Sequence, residues 1–239
     1  MKIKKINIVD GIIQDKFVGD VPIMIKIIKP KGKTNVRTLI KINECIGITN
    51  HNTGNITPTA SDEMHAKWLQ SVENVDKEYV SVHFFVDEDS IIQTVPIDEV
   101  TNNAGDGRGP GNFKTISIEI CENGNEQKAE ENAKKLNAAL ILTYPKLKIF
   151  KHQDWNGKYC PRRILNRENG WKRFVGDINQ LVKKSKVDEI KDNSVSNWAK
   201  EAQSFVKENK ISDGSRPKDN VTREEVWVML NRMQNLGGK

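Results

Sequence analysis

Apolar positions along this chain change their spacing twice, and each change marks a zone. In residues 1–40 isoleucine and valine come in short clusters, broken by Gly11, Gly19, Pro22, Pro30 and Gly32. Such breaks predict short strands or an extended arm rather than a helix. From residue 41 to 182, strand-like and helix-like patterns alternate. Cys45–Thr49 reads as a short buried strand running into Asn50-His51-Asn52-Thr53. Ser61 can cap a helix through Trp68 and Val72. Val80–Val86 and Ile91–Val95 read as neighbouring strands across Asp87-Glu88-Asp89-Ser90, and Lys114–Cys121 as a further strand. Glu126–Tyr144 has helical spacing, with Ala133, Leu136, Ala139, Leu140 and Thr143 on one side. Strands alternating with helices predict an α/β domain, a central mixed β-sheet flanked by helices. The polar stretch 183–194 reads as a linker. Beyond it, residues 195–239 read as a small C-terminal helical hairpin.

Charge changes the picture at one end. Residues 1–41 hold ten Lys and Arg against three Asp, a balance of +7 in a chain whose net charge is +6. A one-ended basic segment points to a polyanionic partner. Nucleic acid fits poorly, because stacking needs aromatic side chains among the basic ones, and this zone has only Phe17. No apolar run approaches the roughly 18 residues needed for a membrane span, since Lys26 interrupts the stretch Ile23–Ile28. Lys2, Lys4 and Lys5 are not followed by a long apolar run, so no secretory signal is expected and export would need another route. Three cysteines, Cys45, Cys121 and Cys160, are too few for a disulfide framework.

The chemistry concentrates in His152-Gln153-Asp154-Trp155-Asn156-Gly157-Lys158-Tyr159-Cys160-Pro161. Structural zinc sites pair ligands two to five residues apart and use four of them; a catalytic zinc needs three and an open position. With His152 and Cys160 as two candidates, the third is His51 at the end of its strand, where α/β sheets collect functional groups. The glycine-dense loop Gly105–Asn112 lacks the Lys-Ser/Thr ending of a phosphate-binding loop.

His51-Asn52-Thr53, Gly105-Asp106-Gly107 through Gly111-Asn112, Ser117-Ile118-Glu119-Ile120-Cys121 and His152 through Lys158-Tyr159-Cys160-Pro161 stand in that order. Together they resemble the type 2 N-acetylmuramoyl-L-alanine amidases, which include phage endolysins and share the fold of peptidoglycan recognition proteins. The resemblance covers residues 35–180. It implies zinc ligands at His51, His152 and Cys160, with Zn2+ as cofactor and peptidoglycan as substrate. It also implies that Glu119 handles the proton while Lys158 stabilises developing negative charge. Ser117, Glu119 and Cys121 share one face of their strand and Ile116, Ile118 and Ile120 the other. Alternation cannot say which face holds the site, so a solvated Glu119 stays open, as does an ordinary exposed Lys158. Thr53, His83, Asp106 and Asn112 are expected in the substrate groove, with core or turn roles as rivals. The implied function is hydrolysis of the bond between N-acetylmuramic acid and L-alanine, by an endolysin or autolysin acting at the cell wall. Alternatives are peptidoglycan binding without catalysis, or cleavage within the stem peptide.

The last zone contains Asn197-Trp198-Ala199, Ile211-Ser212-Asp213-Gly214 and Val221-Thr222-Arg223-Glu224-Glu225. Thr222 with Glu225 predicts a capping box before an amphipathic helix. This segment resembles a single surface-layer homology repeat, which implies attachment to cell-wall polymers; a hairpin that packs or dimerises is the rival. With a wall-degrading domain behind it, the basic zone 1–40 is expected to target anionic envelope polymers or lipids.

Overall fold

The computed structural model describes residues 2–31, 36–73, 75, 80–192 and 194–236, the side chains of residues 189–192 excepted. Gly32, Lys33, Asn193 and residues 237–239, invoked above, lie outside the described residues. Two compact units result, Met1–Lys183 and Lys184–Lys239.

In the first unit the elements run β1 (Ile8–Val9), β2 (Ile12–Ile13), β3 (Phe17–Val18), β4 (Val21–Ile25), β5 (Gly47–Asn52), α1 (Asp62–Val72), β6 (Phe84–Val86), β7 (Ile91–Gln93), α2 (Pro110–Phe113), β8 (Thr115–Ile120), α3 (Glu126–Thr143), β9 (Lys148–Lys151), α4 (Gln153–Asn156), α5 (Arg162–Leu165) and the first part of α6 (Gly170–Asp192), whose residues from Lys184 on are counted with the second unit. β1 and β2 form a two-stranded sheet. The other strands form one mixed sheet, ordered β3-β4-β7-β6-β8-β5-β9. β8 and β5 lie next to each other and pair in parallel, as do β5 with β9 and β6 with β8.

Both faces of the central strands are covered, as parallel strands require. On one face Ile48, Ile116, Ile118, Ile120, Phe84 and Val86 pack with Ala133, Leu136 and Leu140 of α3 and Phe174 and Ile178 of α6. On the other, Phe85, Val82 and Cys121 pack with Leu69 of α1. Ser61 caps α1, its hydroxyl accepting from Met64 N.

The zone 1–40 does form short strands, but no break in packing falls at residue 40. β3 and β4 extend the main sheet, and Ile3, Ile6, Ile13, Val18, Val21 and Ile23 belong to its principal core. The physical reason is the isoleucine and valine content, which gains little unless it leaves water. The basic excess is also partly used inside the unit. Arg37 is buried and donates through Nε and Nη2 to Glu99, Lys26 pairs with Glu63 and Lys41 with Asp98.

The stretch expected as a linker is helical as far as Asp192, the end of α6. It contains no Gly or Pro after Gly176, and Lys, Glu and Asp are tolerated in a helix. The second unit holds a 3-10 turn at Asn197–Ala199, α7 (Lys200–Glu208) and α8 (Arg223–Gln234). The capping box forms: Thr222 Oγ1 accepts from Glu225 N while Glu225 accepts from Thr222 N. Ile211 is buried there, whereas Trp198 and Trp227 are exposed. Among the described residues no helix is long and apolar enough to cross a membrane.

Candidate metal centre

Strand register assembles the first half of the site. β5 and β8 pair so that His51 sits opposite Glu119 and Thr49 opposite Ser117. Directly opposed residues project to the same side, here the α1 side, while Asn50 and Ile118 point into the α3 side. Asn50 is anchored there by a reciprocal amide pair with Asn137, at 3.2 and 2.8 Å. That anchor fixes the rotation of the strand end from which His51 projects.

The second half comes from the segment after β9. His152 directly follows that strand, and its backbone N–H donates to Asn50 O. Trp155 Nε1 donates to Thr49 Oγ1 at 2.9 Å, and Thr49 Oγ1 meets Thr115 Oγ1 at 2.7 Å, which holds α4 on the sheet. α4 ends at Gly157, where φ is +81°, a value that side-chain-bearing residues adopt only at a cost. The chain then reverses and returns Cys160 toward His51. Glu122, at the end of β8, accepts from Arg162 Nε at 3.0 Å and Arg163 Nε at 2.8 Å. Arg163 N donates to Asn52 Oδ1 at 3.0 Å. The loop bearing Cys160 is thereby tied to the strands bearing His51 and Glu119.

His51, His152 and Cys160 are buried, and one donor atom from each lies within 4.8 Å of the others. The two Nδ1 atoms are 2.9 Å apart, and Cys160 Sγ is 4.0 Å from His51 Nδ1. A tetrahedral zinc with bonds of about 2.1 Å to nitrogen and 2.3 Å to sulfur holds its donors roughly 3.4–3.6 Å apart, so small side-chain rotations suffice. Among the described residues this is the one such convergent group of three.

Protonation also suits a cation. Burial, then the neighbouring His152 and Lys158, lowers His51 to about 3, so its imidazole is neutral. Burial, then Lys158, also lowers His152. Burial, then Glu119, pushes the Cys160 thiol up to about 12; a thiolate here needs an added positive charge, which a divalent ion supplies. Burial raises Glu119 to about 8, against the opposing pull of Lys158. As a residue Glu119 is only part-buried, since it faces the groove, but its Oε2 is buried and has no partner.

These groups lie along a groove of about 910 Å³. His51, Glu119, His152, Lys158 and Cys160 line it, as do Met64, His65 and Trp68 of α1. His65 stacks on Phe85 with ring centroids 5.0 Å apart. Lys158 is exposed.

The four groove candidates separate. Thr53 lines the groove with a buried Oγ1 that has no partner, so it can meet a ligand. His83 does not reach the groove. Its ring is fully buried: Nδ1 lies 2.9 Å from Ser117 Oγ, and Nε2 donates to Glu99 O at 2.8 Å. Its place inside the Val80–Val86 stretch turns it into the sheet interior. Asp106 folds back on its own loop, accepting from Gly111 N at 2.7 Å and Asn112 N at 3.1 Å. Asn112 lines the groove, but its side chain is engaged by Asn103 N, Ala104 N and Gly107 O. Asp106 and Asn112 thus brace their own loop. Sequence reasoning gave no role to Asn103, whose Oδ1 lies 3.0 Å from His51 Nε2, or to Glu122. Neither has a signal in local spacing, because each acts on a residue about 40 or more positions away.

Residues 43–163 match the family model described as N-acetylmuramoyl-L-alanine amidase. N-acetylmuramoyl-L-alanine amidase CwlH of Bacillus subtilis (strain 168) is 41% identical over 137 residues, covering 55% of this chain and 52% of that protein. XlyA of the same organism, also named an N-acetylmuramoyl-L-alanine amidase, is 38% identical over 133 residues, covering 54% and 43%. This chain thus spans about half the length of the curated relatives it matches. The solved catalytic domain of XlyA superposes with a TM-score of 0.58 at 35% identity, over 66% of this chain and 99% of that one. The structure of PlyL gives 0.55 at 30% identity, over 66% and 96%.

Proposed function

Since the chain belongs to the N-acetylmuramoyl-L-alanine amidase family, we propose that it hydrolyses the amide bond between N-acetylmuramic acid and L-alanine in peptidoglycan. It would act as an endolysin or autolysin at the cell wall. The observation that carries this reading is the convergence of His51, His152 and Cys160 beside a partnerless, protonation-poised Glu119 in an open groove. A zinc ion held by those three side chains would act as a Lewis acid toward the amide carbonyl and acidify water.

The chain's own residues then do the following. Glu119 Oε2 is free of hydrogen bonds, and burial raises the group to about 8 in the metal-free protein. A bound cation would favour its ionised form, which takes a proton from the attacking water and returns it to the departing alanine nitrogen. The Lys158 ammonium offsets negative charge growing on the carbonyl oxygen. Thr53 Oγ1 orients the bound chain. Met64 and Trp68 of α1 take less polar parts of the substrate.

Digestion of purified peptidoglycan with mass analysis of the products tests the reading. New alanine N-termini on intact glycan strands are expected, and they should vanish with His51→Ala, with Cys160→Ala and after chelation. Cuts deeper in the stem peptide, or new reducing sugar ends, would overturn it. Binding without any cleavage would leave only a recognition role. We also propose that exposed lysines of residues 1–40 favour anionic envelope polymers or lipids, and that the Lys184–Lys239 unit attaches to wall polymers in the manner of a surface-layer homology repeat. The capping box and the exposed Trp198 and Trp227 support the latter.

A further inference from the structure

We propose that Asn103 is a positioning residue that holds His51 in the one neutral tautomer able to ligate at this site, with Nε2 protonated and Nδ1 carrying the lone pair. The inference rests on the metal-site reading above and adds a residue that reading does not use.

The argument starts from the orientation of the Asn103 carboxamide. Its Nδ2 donates to Thr101 O at 3.1 Å and Thr101 Oγ1 at 2.9 Å. Both lie on the side away from His51, and Thr101 is fully buried. Rotating the amide by half a turn would set the carboxamide oxygen against the Thr101 carbonyl, an acceptor facing an acceptor, even if the Thr101 hydroxyl turned to donate. The amide therefore presents only Oδ1 to His51 Nε2, 3.0 Å away. A carbonyl oxygen has no proton to give, so the contact is a hydrogen bond only if Nε2 carries the hydrogen. A neutral imidazole has a single N–H, which leaves Nδ1 as a bare lone pair. Nδ1 is the atom that points at the other two donors, 2.9 Å from His152 Nδ1 and 4.0 Å from Cys160 Sγ.

Asn103 is itself held. Asn112 Oδ1 accepts from Asn103 N at 2.8 Å and from Ala104 N at 2.7 Å. Asn112 in turn is set by Gly107 O, through its Nδ2, and by Asp106 Oδ1, through its backbone N–H. The glycine-dense loop thus frames His51 from outside, Asp106 to Asn112 to Asn103. Outer partners of this kind orient ligating imidazoles and hold affinity in other metal sites.

The test compares the full-length wild type with Asn103→Asp and Asn103→Leu. Aspartate keeps an acceptor at Oδ; leucine removes it at similar size. Long-range proton–nitrogen correlation spectra of the metal-free proteins read the His51 tautomer directly. Wild type and Asn103→Asp should show Nε2 protonated and Nδ1 bare, whereas Asn103→Leu should show a mixture or the opposite tautomer. Zinc affinity, measured by competition with a chromophoric chelator, should fall about 10–100-fold in Asn103→Leu and stay at or above the wild-type value in Asn103→Asp. If Asn103→Leu does not fold, Asn103→Ala replaces it. An unchanged tautomer together with zinc affinity within twofold of wild type, in the acceptor-free variant, would overturn the proposal. Wild-type protein that binds no zinc would instead sink the metal-site reading, and the tautomer measured without metal would still report on Asn103.

Discussion

At the scale of single residues, Glu119 couples stability to pH. Its pKa is raised from the ordinary 4.5 to about 8, with burial the leading cause. Between those values the unfolded chain has released the proton while the folded one keeps it. The unfolded state then binds fewer protons, so the stability of the metal-free protein falls as pH rises through this window. The ceiling is about 1.4 kcal/mol per pH unit, and the part of Glu119 that faces the groove lowers it. Urea unfolding of chelator-treated protein at pH 5, 6.5 and 8 should show Glu119→Gln gaining on wild type at each step. A constant difference would mean that the carboxylate is not held protonated. Glu119→Gln should also lower kcat by about 10²–10⁴-fold if this group shuttles the proton. His83 is the contrasting case. Burial shifts it too, downward to about 4, yet both its nitrogens are satisfied inside the sheet, so it offers nothing to a substrate.

Among elements, straps that join distant segments matter more than the helices' own propensities. The Arg37–Glu99 pair joins the segment after β4 to the turn after β7, with side chains only 11% and 4% exposed. Glu99 Oε1 also accepts from Leu39 N. Glu99→Ala strands a buried guanidinium and should cost about 3–5 kcal/mol in chemical denaturation; a loss under 1 kcal/mol would show that water reaches Arg37. Glu122 acts differently. Its fully buried side chain clamps Arg162 and Arg163, which are themselves 43% and 39% exposed. When Glu122→Ala frees them, the two arginines can turn to solvent. We expect a modest stability loss and a larger drop in zinc affinity, because the Cys160 loop loses its tie to β8. Equal losses in both would assign Glu122 to general stability alone.

For the whole molecule, the sheet absorbs the basic N-terminal zone, and that alters how envelope targeting can be tested. Deleting residues 1–35 would remove β3, β4 and much of the principal core, so the first unit should fail to fold. Surface charge has to be removed without removing strands. Replacing the exposed Lys4, Lys16, Lys29 and Lys31 with glutamine should weaken binding to whole cells and flatten its salt dependence. Cleavage of soluble wall fragments should stay unchanged. Unaltered binding across a salt series would remove the electrostatic targeting idea. Ending the chain near Lys183 should leave fragment cleavage intact and lower co-sedimentation with walls if the second unit attaches there.

Local order and residue chemistry were readable along the chain: the capped helix at Asp62–Val72, the long helix α3, the strand ending at the Asn50-His51-Asn52 run, and the set of two imidazoles and one thiol. These follow from spacing, capping and composition, which act over a few residues. Tertiary structure alone decided which face of β8 lies beside His51, that His83 is core, that residues 1–40 complete the sheet, and that Asn103 meets His51 while Glu122 ties down the segment after Cys160. The reason is that alternation has a period but no sign: it divides a strand into two faces without saying which one a partner dozens of residues away will cover. His51 lies beside Glu119 through a strand pairing that spans 68 positions of sequence, and no local pattern encodes that register.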